Sequence, residues 1–304
     1  MTTLGAPNDL LRLVAAWFGT ELEPVEGPIS GEESTGWRVA SLRGDLFVQV
    51  MPTWRSADDV GWVHEVIRSV AATVPEAVAP LAGADGRTVV VLDRRPVAVF
   101  PFVRGDPLDA GDQDMRSQAA GLLARIHRAL LHRPQLRPRP GPLSPPTPPV
   151  ADPPEIRDPE LETWWRALRN LGRLRGPIHG DVYPKNIRCH AGRIVGVIDW
   201  MEAHVDFIGQ ELGWTTWELA QTDSGEDLSW DTATEFLERY RAEGGPVPRT
   251  EDGDLVQFIR WRLRNEIRAD LARRAAGERS DSAYTRAELR AFARLRGTTL
   301  SSTG

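Results

Sequence analysis

The sequence predicts an α+β fold in two lobes, a small one built on a mostly antiparallel sheet and a larger one that is mainly helical. Residues 36 to 51 consist of two β-rich runs around a Gly-Asp turn, a pattern typical of a hairpin. Beyond residue 104 the apolar residues recur mainly at helical spacing. A chain of 304 residues is long enough to bury a core in both parts. We therefore expect an N-terminal lobe over 1–103 and a C-terminal lobe over 104–304.

The N-terminal lobe is predicted to begin with a helix and to continue as a sheet. An amphipathic helix follows Asn8, which is a favourable capping residue. A polar segment with several glycines, residues 27 to 36, precedes the hairpin. Residues 57 to 73 have helical spacing and acidic residues in the first turn, where they complement the helix dipole. Two further strands are expected at 88 to 92 and at 96 to 103.

The C-terminal lobe is predicted to consist of helices, with a proline-rich insertion and one hairpin. Eleven of the 24 prolines lie between 134 and 159, which indicates an extended surface insertion or linker and not a core element. The runs 187–190 and 193–198 flank Ala-Gly and predict the hairpin. The expected helices span 114–131, 209–221, 230–243 and 251–276.

Composition limits the classes of partner. A formal charge of −6 gives the chain no overall attraction to nucleic acid or to an anionic membrane, and small cationic partners are better tolerated. The single Cys189 excludes an intramolecular disulfide and is compatible with a reducing compartment. The first residues lack the basic segment and long apolar run of a secretion signal. We therefore expect a cytoplasmic protein that acts on a small molecule, without nucleic-acid or membrane partners and of unknown oligomeric state.

The stretch from His179 to Asn186, HGDVYPKN, places an acid five residues before an amide, and Asp199 follows after the predicted hairpin. Because the hairpin returns the chain beside its start, Asp181, Asn186 and Asp199 are expected to converge. Carboxylate and amide oxygens are ligands that Mg²⁺ prefers, and a second carboxylate can accept the proton of an attacking hydroxyl. This arrangement suits phosphoryl transfer, and the protein-kinase catalytic loop has the same Asp-x-x-x-x-Asn spacing.

The segments IHGDVYPKNI and GVIDW resemble those of the aminoglycoside phosphotransferase and choline kinase-like family of small-molecule kinases, which has a protein-kinase-like fold. The likeness extends more weakly, and in order, over about residues 29 to 218. It implies that Asp181 is the catalytic base and that His179 supports the catalytic loop. It also implies that Asn186 and Asp199 are the Mg²⁺ ligands.

The same resemblance implies a set of nucleotide-binding residues. The family normally has Lys or Arg at the position of Gln49, paired with a helix acid that Glu65 matches best. Glutamine can donate hydrogen bonds to phosphate but supplies no charge, so Arg38, Arg43 or Arg55 is a candidate substitute. The only lysine, Lys185, is either a phosphate contact or a solvated loop residue. The remaining implied nucleotide contacts are Ser34, Phe100 and Phe102.

The acceptor site is predicted to lie in the C-terminal helical region and in the connector after Asp199. Carboxylates suit a cationic group and aromatic faces suit a polar ring, although any single tryptophan is more typical of a core position. Glu211 lies where the family often has an acid that braces the catalytic loop, and His127 is typical of a packed helix residue. The acceptor candidates are Glu202, Asp206, Trp214, Glu218, Trp261 and Glu266.

These observations predict a Mg²⁺-dependent O-phosphotransferase that moves the γ-phosphate of ATP or GTP to a hydroxyl of a small molecule. The acceptor is either a metabolite or an antibiotic such as an aminoglycoside, and the second case implies antibiotic resistance. Two alternatives remain open. Gln49 favours a nucleotide-binding pseudokinase without turnover. A kinase of protein substrates is disfavoured because no DFG or APE-type segment follows Asp199.

Overall fold

An antiparallel sheet forms the N-terminal lobe of the computed structural model, which describes residues 7–31, 33–42, 44–131, 137–143, 151–277 and 282–298. Its five strands lie in the order β1-β2-β3-β5-β4. Their bounds are β1 (Glu23–Ser30), β2 (Thr35–Ser41), β3 (Gly44–Val50), β4 (Val90–Leu92) and β5 (Arg95–Pro101).

Two helices cover the faces of this sheet. Helix α1 (Pro7–Phe18) packs its apolar side on the face that includes Val48 and Val97. Helix α2 (Ala57–Ala71) packs on the opposite face with Ala98, and the side chain of Ser56 caps it by accepting from the Asp59 N–H. Since side chains alternate between the faces of a strand, Gln49 lies on the α2 side of the sheet.

The C-terminal lobe is mainly helical. Its helices are α3 (Gln113–Leu131), α4 (Pro159–Leu168), α5 (Ile208–Ala220), α6 (Trp230–Ala242), α7 (Asp252–Ala275) and α8 (Ser282–Arg294). Five short strands complete it: β6 (Asp106–Pro107), β7 (Arg175–Ile178), β8 (Ile187–His190), β9 (Arg193–Val197) and β10 (His204–Phe207). β6, β8 and β9 form one small antiparallel sheet, and β7 pairs with β10 in another.

The two lobes share backbone contacts beside the hairpin β8–β9. The Val197 N–H donates to Glu76 O at 2.7 Å, and the Val78 N–H donates to Val197 O at 3.2 Å. Apolar residues of α2 and α3 meet Trp200 and Met201 in one buried cluster below this junction. In the described residues, no helix combines the length and apolar character that crossing a membrane requires.

The predicted α+β class is confirmed, and the main predicted helices and hairpins form within a few residues of their expected bounds. The prediction that Asn8 caps the first helix is wrong, because α1 already begins at Pro7 and Asn8 lies inside the helix. Elements that the sequence analysis did not predict are β1, β6, β7, β10, α4 and α8. The lobe boundary at residues 103 and 104 stays a prediction.

The proline-rich region from 134 to 159 differs in part from the expected surface linker. Ile156 is fully buried, and Asp158 caps α4 by accepting from the Leu161 N–H at 3.0 Å. Residues 137 to 143 pack against α2. This part of the insertion therefore contributes to the packed structure, because its polar backbone groups and arginines find partners there. Residues 132–136 and 144–150 lie outside the described residues, as does Arg43.

Candidate active site

A short loop between β7 and β8 holds Asp181 beside Asn186. Residues Pro184–Asn186 form a single 3₁₀ turn, which brings the two side chains together. The Asn186 Nδ2 group donates to the Asp181 backbone oxygen at 2.9 Å and to Asp181 Oδ2 at 3.0 Å. Since both bonds use the NH₂ side of the amide, the Asn186 carbonyl oxygen remains available as a hard oxygen donor.

The hairpin β8–β9 brings Asp199 to the same place, as the spacing predicted. The Ile198 N–H donates to the Asn186 backbone oxygen at 2.9 Å. Asp199 follows directly and has a left-handed backbone (φ 57°, ψ 65°), a conformation that aspartate tolerates better than most residues. The Asp199 charge is close enough to Asp181 to raise the pKa of that carboxyl group.

His179 connects the Asp181 loop to the end of β9. Its Nε2 donates to the Ile198 backbone oxygen at 3.1 Å, and its Nδ1 accepts from the Asp181 N–H at 3.2 Å. The ring is fully buried and lies 4.4 Å from the ring of Trp200. Burial lowers the pKa of His179, so the neutral tautomer that both hydrogen bonds require is the stable one.

Three helices brace the same loop through Gly180. Its N–H donates to Glu211 Oε1 at 2.5 Å, while Glu211 Oε2 accepts from His127 Nε2 at 2.9 Å. His127 Nδ1 lies 2.7 Å from the Tyr240 hydroxyl, so α3, α5 and α6 are joined. Burial disfavours the charged carboxylate, but the hydrogen bonds from His127 and Gly180, together with the charges of His127 and His179, outweigh burial, and the pKa of Glu211 lies below its usual value. Gly180 has a φ of 88°, and a Cβ atom there would lie 2.4 Å from Glu202 O.

Arg262 of α7 is a functional candidate that the sequence analysis missed. Its Nη2 lies 3.8 Å from Asp181 Oδ1, its Nε lies 2.7 Å from Glu266 Oε1, and its guanidinium covers the ring of Trp214 at 5.3 Å. Burial raises the pKa of Asp181 to about 8 although the charge of Arg262 opposes this. The one available sequence signal was the i, i+4 spacing of Arg262 and Glu266 on a helix.

A group of acids that are partly or fully buried extends from Arg262 toward α8. Burial, reinforced by the charge of Glu266, raises the pKa of Glu218 to about 7 and the pKa of Glu288 to about 8. Glu202 is partly buried, which raises its pKa, while the charge of Arg262 opposes this shift. These acids lie on three helices and on the turn after Asp199. We call Glu202, Glu218, Glu266 and Glu288 the acid group.

Four of the six acceptor candidates therefore lie around Arg262, namely Glu202, Trp214, Glu218 and Glu266. The other two belong to a different group of contacts. Trp261 stacks on Trp165 at 3.9 Å with an interplanar angle of 8°. Asp206 accepts from the Phe207 N–H and lines a surface cavity of about 280 Å³ with Trp165 and Arg173. The structure gives Asp206 and Trp261 no described contact with Arg262.

Gln49 lies buried in the N-terminal lobe and donates from Nε2 to Ser34 Oγ at 2.9 Å. Glu65 does not lie opposite it, because Glu65 is exposed on the outer side of α2. Among the described residues, no hydrogen bond or ion pair joins Glu65 to Gln49. The buried acid of α2 is Asp59, which is fully inaccessible to solvent.

Of the three arginines proposed to replace the missing strand charge, Arg55 lies beside the glycine-containing segment that holds Ser34. It is 2% exposed, and its Nη2 lies 2.9 Å from Glu33 Oε2, next to Ser34. Its Nη1 lies 3.2 Å from Asp59 Oδ2. Arg38 instead pairs with Asp45. Arg43 lies outside the described residues.

The remaining nucleotide candidates are distributed over both lobes. The Phe100 ring contacts the His64 ring edge to face at 5.6 Å. Phe102 lies under the guanidinium of Arg38 at 4.6 Å. Lys185 is exposed, yet its charge lowers the pKa of Glu218, so it lies at the rim of the acid group.

Comparison with known proteins agrees with this architecture. A homoserine kinase of Sinorhizobium medicae is 27% identical over 221 residues, which is 67% of this chain and 66% of that protein. The amicoumacin kinase hAmiN, solved in complex with AMP-PNP, Ca²⁺ and Ami, has a TM-score of 0.70 at 14% identity, over 98% of this chain and 96% of that one. The choline kinase LicA from Streptococcus pneumoniae has a TM-score of 0.66 at 15% identity, over 96% and 99% of the two chains.

The two structural similarities establish the fold and confirm the predicted protein-kinase-like class. The family assignment comes from the sequence. A match to the phosphotransferase enzyme family APH covers residues 25–250 and therefore includes the sheet, the catalytic loop and most of the helical lobe. The resemblance inferred from the HGDVYPKN and IDW segments is confirmed. This chain is a member of the APH phosphotransferase enzyme family.

Proposed function

We propose that the protein transfers the γ-phosphoryl group of ATP or GTP to a hydroxyl of a small molecule and requires Mg²⁺. The observation that carries this proposal is the hydrogen-bonded unit of Asp181, Asn186 and Ile198, which holds two acids and an amide at one point. Phosphoryl transfer depends mainly on positioning and on neutralising charge, and this unit provides groups for both.

The residues fit a magnesium ion. The Asn186 carbonyl oxygen and the Asp199 carboxylate are hard oxygen donors, and Mg²⁺ commonly binds one or two such protein groups together with phosphate oxygens. When bound, the ion would neutralise charge on the transferred phosphoryl group. Asn186 is held in place by its two bonds to Asp181, so its oxygen needs no reorientation.

Asp181 is the proposed base. It lies in the loop that His179 and Glu211 hold rigidly, so its carboxylate can orient the acceptor hydroxyl and accept its proton. Arg262, at 3.8 Å from Asp181 Oδ1, stabilises the ionised carboxylate. His179 makes no contact that suggests proton transfer to substrate, and its two hydrogen bonds support a positioning role.

The acid group supports a more specific acceptor, a small alcohol that carries a cationic nitrogen. Asp181, Glu202, Glu218 and Glu266 all act electrostatically on the one guanidinium of Arg262, so a bound ammonium group would relieve the mutual repulsion of these four acids. The relative named as a homoserine kinase and the neighbour named as a choline kinase agree with this class. An amino alcohol such as homoserine is therefore our first candidate, and amine-bearing antibiotics are the second.

A screen tests the reaction. The purified protein would be incubated with Mg²⁺ and either ATP or GTP, together with homoserine, choline, other amino alcohols and aminoglycosides. Products would be detected by the added mass of one phosphoryl group. Phosphorylation of an amine-bearing alcohol is expected, and phosphorylation of neutral polyols alone would contradict the proposed acceptor class. The single Cys189, which is compatible with a reducing compartment, supports a cytoplasmic location, and the net charge of −6 supports the absence of nucleic-acid and membrane partners.

Gln49 favours one second candidate, a pseudokinase that binds nucleotide without turnover. Its side chain is engaged with Ser34 and provides no charge to the phosphates. Calorimetric binding of Mg²⁺-nucleotide combined with no product across the whole screen would support this candidate over the enzyme.

The substitution Gln49→Lys tests how the cleft supplies positive charge. Because Glu65 is exposed, a lysine at position 49 would not have this carboxylate as a partner in the free protein, and its charge would be costly to bury. The phosphate groups of a bound nucleotide would pair with this lysine. We expect a lower melting temperature without ligand and a larger nucleotide-induced rise than in the wild type, measured by thermal unfolding. If the nucleotide-induced rise in melting temperature is the same in Gln49→Lys and in the wild type, Arg55 already provides the charge.

Glu218→Gln tests the acceptor site. We expect a rise of about tenfold in KM for a cationic acceptor with nucleotide KM unchanged, because the substitution removes one carboxylate that faces the ammonium group. The pKa of Glu218 is about 7, so its charged form increases as the pH rises through that value. The wild-type acceptor KM should therefore fall between about pH 6 and pH 8, and the variant should lose part of this dependence.

Glu65→Gln is the matched control, since it makes the same change at an exposed site on the other lobe. If Glu218→Gln and Glu65→Gln have equal acceptor KM values at every pH, the acid group does not bind the acceptor.

A further inference from the structure

Residues 137 to 143 of the proline-rich region lie along helix α2, and we call them the strap. The Trp62 Nε1 donates to Arg137 O at 2.8 Å, and Arg55 Nη2 donates to Leu143 O at 3.1 Å. Gly141 passes so close to α2 that a Cβ atom there would lie 2.5 Å from Asp59 Cγ. Both ends and the middle of the strap thus contact the N-terminal lobe, although the strap belongs to the sequence that follows α3.

Arg139 at the centre of the strap joins the two lobes with one guanidinium. Its Nε lies 2.7 Å from Asp59 Oδ1, and its Nη2 lies 3.0 Å from Asp59 Oδ2, which is a bidentate pair. Its Nη1 donates to Met201 O at 2.8 Å and to Ala203 O at 2.6 Å. The Arg139 side chain is 6% exposed and Asp59 is fully buried.

The two carbonyl groups that Arg139 holds belong to the turn that follows Asp199. This turn includes the 3₁₀ residues Trp200–Glu202, and Asp199 itself enters it with a left-handed backbone. A non-glycine residue keeps that conformation only when its surroundings hold it. Local bonds of the turn in the described residues include the Ala203 N–H to Trp200 O bond and the 2.7 Å contact of Glu202 O with His204 Nδ1. Arg139 adds two more, and both fix the turn relative to α2.

The strap adds a second charged contact to α2, beside the one that Arg55 of the N-terminal lobe makes. In kinases, a strand lysine and a helix glutamate make a charged contact on the nucleotide side. Here Gln49 has no charge and Glu65 is exposed. The buried acid of α2, Asp59, pairs instead with Arg55 of its own lobe and with Arg139 of the strap.

We propose that Arg139 is a positioning residue for Asp199, holding the turn after this aspartate against helix α2 and so fixing the relative position of the two halves of the nucleotide site. The role of Asp199 itself rests on the proposed function. The physical link from the strap to the turn does not, so the two can be tested separately.

The link is tested without metal, nucleotide or acceptor, by amide hydrogen exchange of the full chain. Arg139→Ala is expected to speed exchange about tenfold or more in residues 199–203 and in the first turns of α2, while α5 to α7 stay as in the wild type. Arg137→Ala is the matched control, because Arg137 has an exposed side chain and contacts Trp62 only through its backbone oxygen in the described structure. Equal exchange of 199–203 in both variants would overturn the proposal.

The consequence for the metal is tested by Mn²⁺ binding in the presence of a non-hydrolysable ATP analogue, followed through the paramagnetic signal of free Mn²⁺. Residues that orient metal ligands typically change affinity by about 10- to 100-fold, so Arg139→Ala is expected to weaken Mn²⁺ binding about tenfold. The Mn²⁺ affinity of Arg137→Ala should stay within about twofold of that of the wild type. An Mn²⁺ affinity of Arg139→Ala equal to that of Arg137→Ala would overturn the positioning role.

Arg139→Lys covers the case in which the alanine variant does not fold. Lysine keeps the charge but cannot make a bidentate pair and two carbonyl contacts together, so an intermediate loss of Mn²⁺ affinity is expected. A general loss of stability predicts instead equal losses of acceptor, nucleotide and metal binding, and that pattern would count against the proposal. If Mn²⁺ binding changes as expected but the wild type phosphorylates no acceptor, the strap inference holds and the proposed function fails.

Discussion

Asp181→Asn is expected to lower kcat by about 10²- to 10⁴-fold, the range typical of the loss of a general base. The variant keeps the size of the side chain, and its amide oxygen can still accept from Asn186 Nδ2. Arg262 stays paired with Glu266, so no isolated charge is left behind. Nucleotide binding should therefore remain close to that of the wild type, since the substitution removes the proton acceptor and not a proposed metal ligand.

Steady-state kinetics with the acceptor found in the screen, together with calorimetry of nucleotide binding, measure the two quantities separately. Asp231→Asn is a suitable control, because Asp231 is an exposed residue in the first turn of α6, outside the proposed site. A turnover number of Asp181→Asn equal to that of Asp231→Asn would show that the base has been assigned wrongly.

Asp199→Asn is expected to affect binding as well as turnover. Removal of a metal-binding carboxylate should weaken the Mg²⁺-dependent part of nucleotide affinity by at least about tenfold and reduce kcat strongly, because charge on the phosphates is no longer neutralised in place. Asparagine also tolerates the left-handed backbone at this position, so the turn should be retained.

Nucleotide affinity measured with and without Mg²⁺ tests this prediction. In the wild type, Mg²⁺ should tighten binding, and in Asp199→Asn this increment should disappear while the metal-free affinity is kept. If the increment persists in Asp199→Asn and is lost in Asp181→Asn, the proposed roles of the two acids must be exchanged.

The sequence was sufficient to predict the centre of the site because its parts are close in the chain. Asp181 and Asn186 share one loop, and Asp199 follows at the end of the adjoining hairpin, so the local turns alone bring the three together. The fold class was predictable for a similar reason, since the hairpins and the long amphipathic helices have strong local patterns. β1 was not predicted, because its residues EPVEGPIS contain two prolines and a glycine that locally disfavour a strand.

Residues that reach the site from distant segments were missed. Arg262, on helix α7, lies 81 residues after Asp181 in the sequence. Arg139 lies 80 residues after Asp59. The sequence positions of these residues do not indicate that either pair is in contact, because both contacts depend on how the helices and the strap pack. Tertiary packing, and not local propensity, determines these contacts.

The expected pairing of Glu65 with Gln49 is absent for a reason that the local sequence of α2 already contained. The buried positions of α2 include Val63, Val66 and Val70, which recur with the helical period, and Glu65 lies on the opposite side. The apolar pattern of the sequence therefore contained the orientation of Glu65. The pairing that the resemblance to other kinases implied is incompatible with this periodicity.

Glu211, His127 and Tyr240 hold Gly180, and with it the loop of Asp181, in the folded protein before any substrate binds. The catalytic loop is ordered when α3, α5 and α6 assemble, so its conformational entropy is lost once, on folding. Substrate binding then does not have to order the loop again, and more of the intrinsic binding free energy remains available to align the acceptor hydroxyl. Denaturant should consequently abolish turnover and melt the helical lobe in the same transition, with no earlier loss of the catalytic loop.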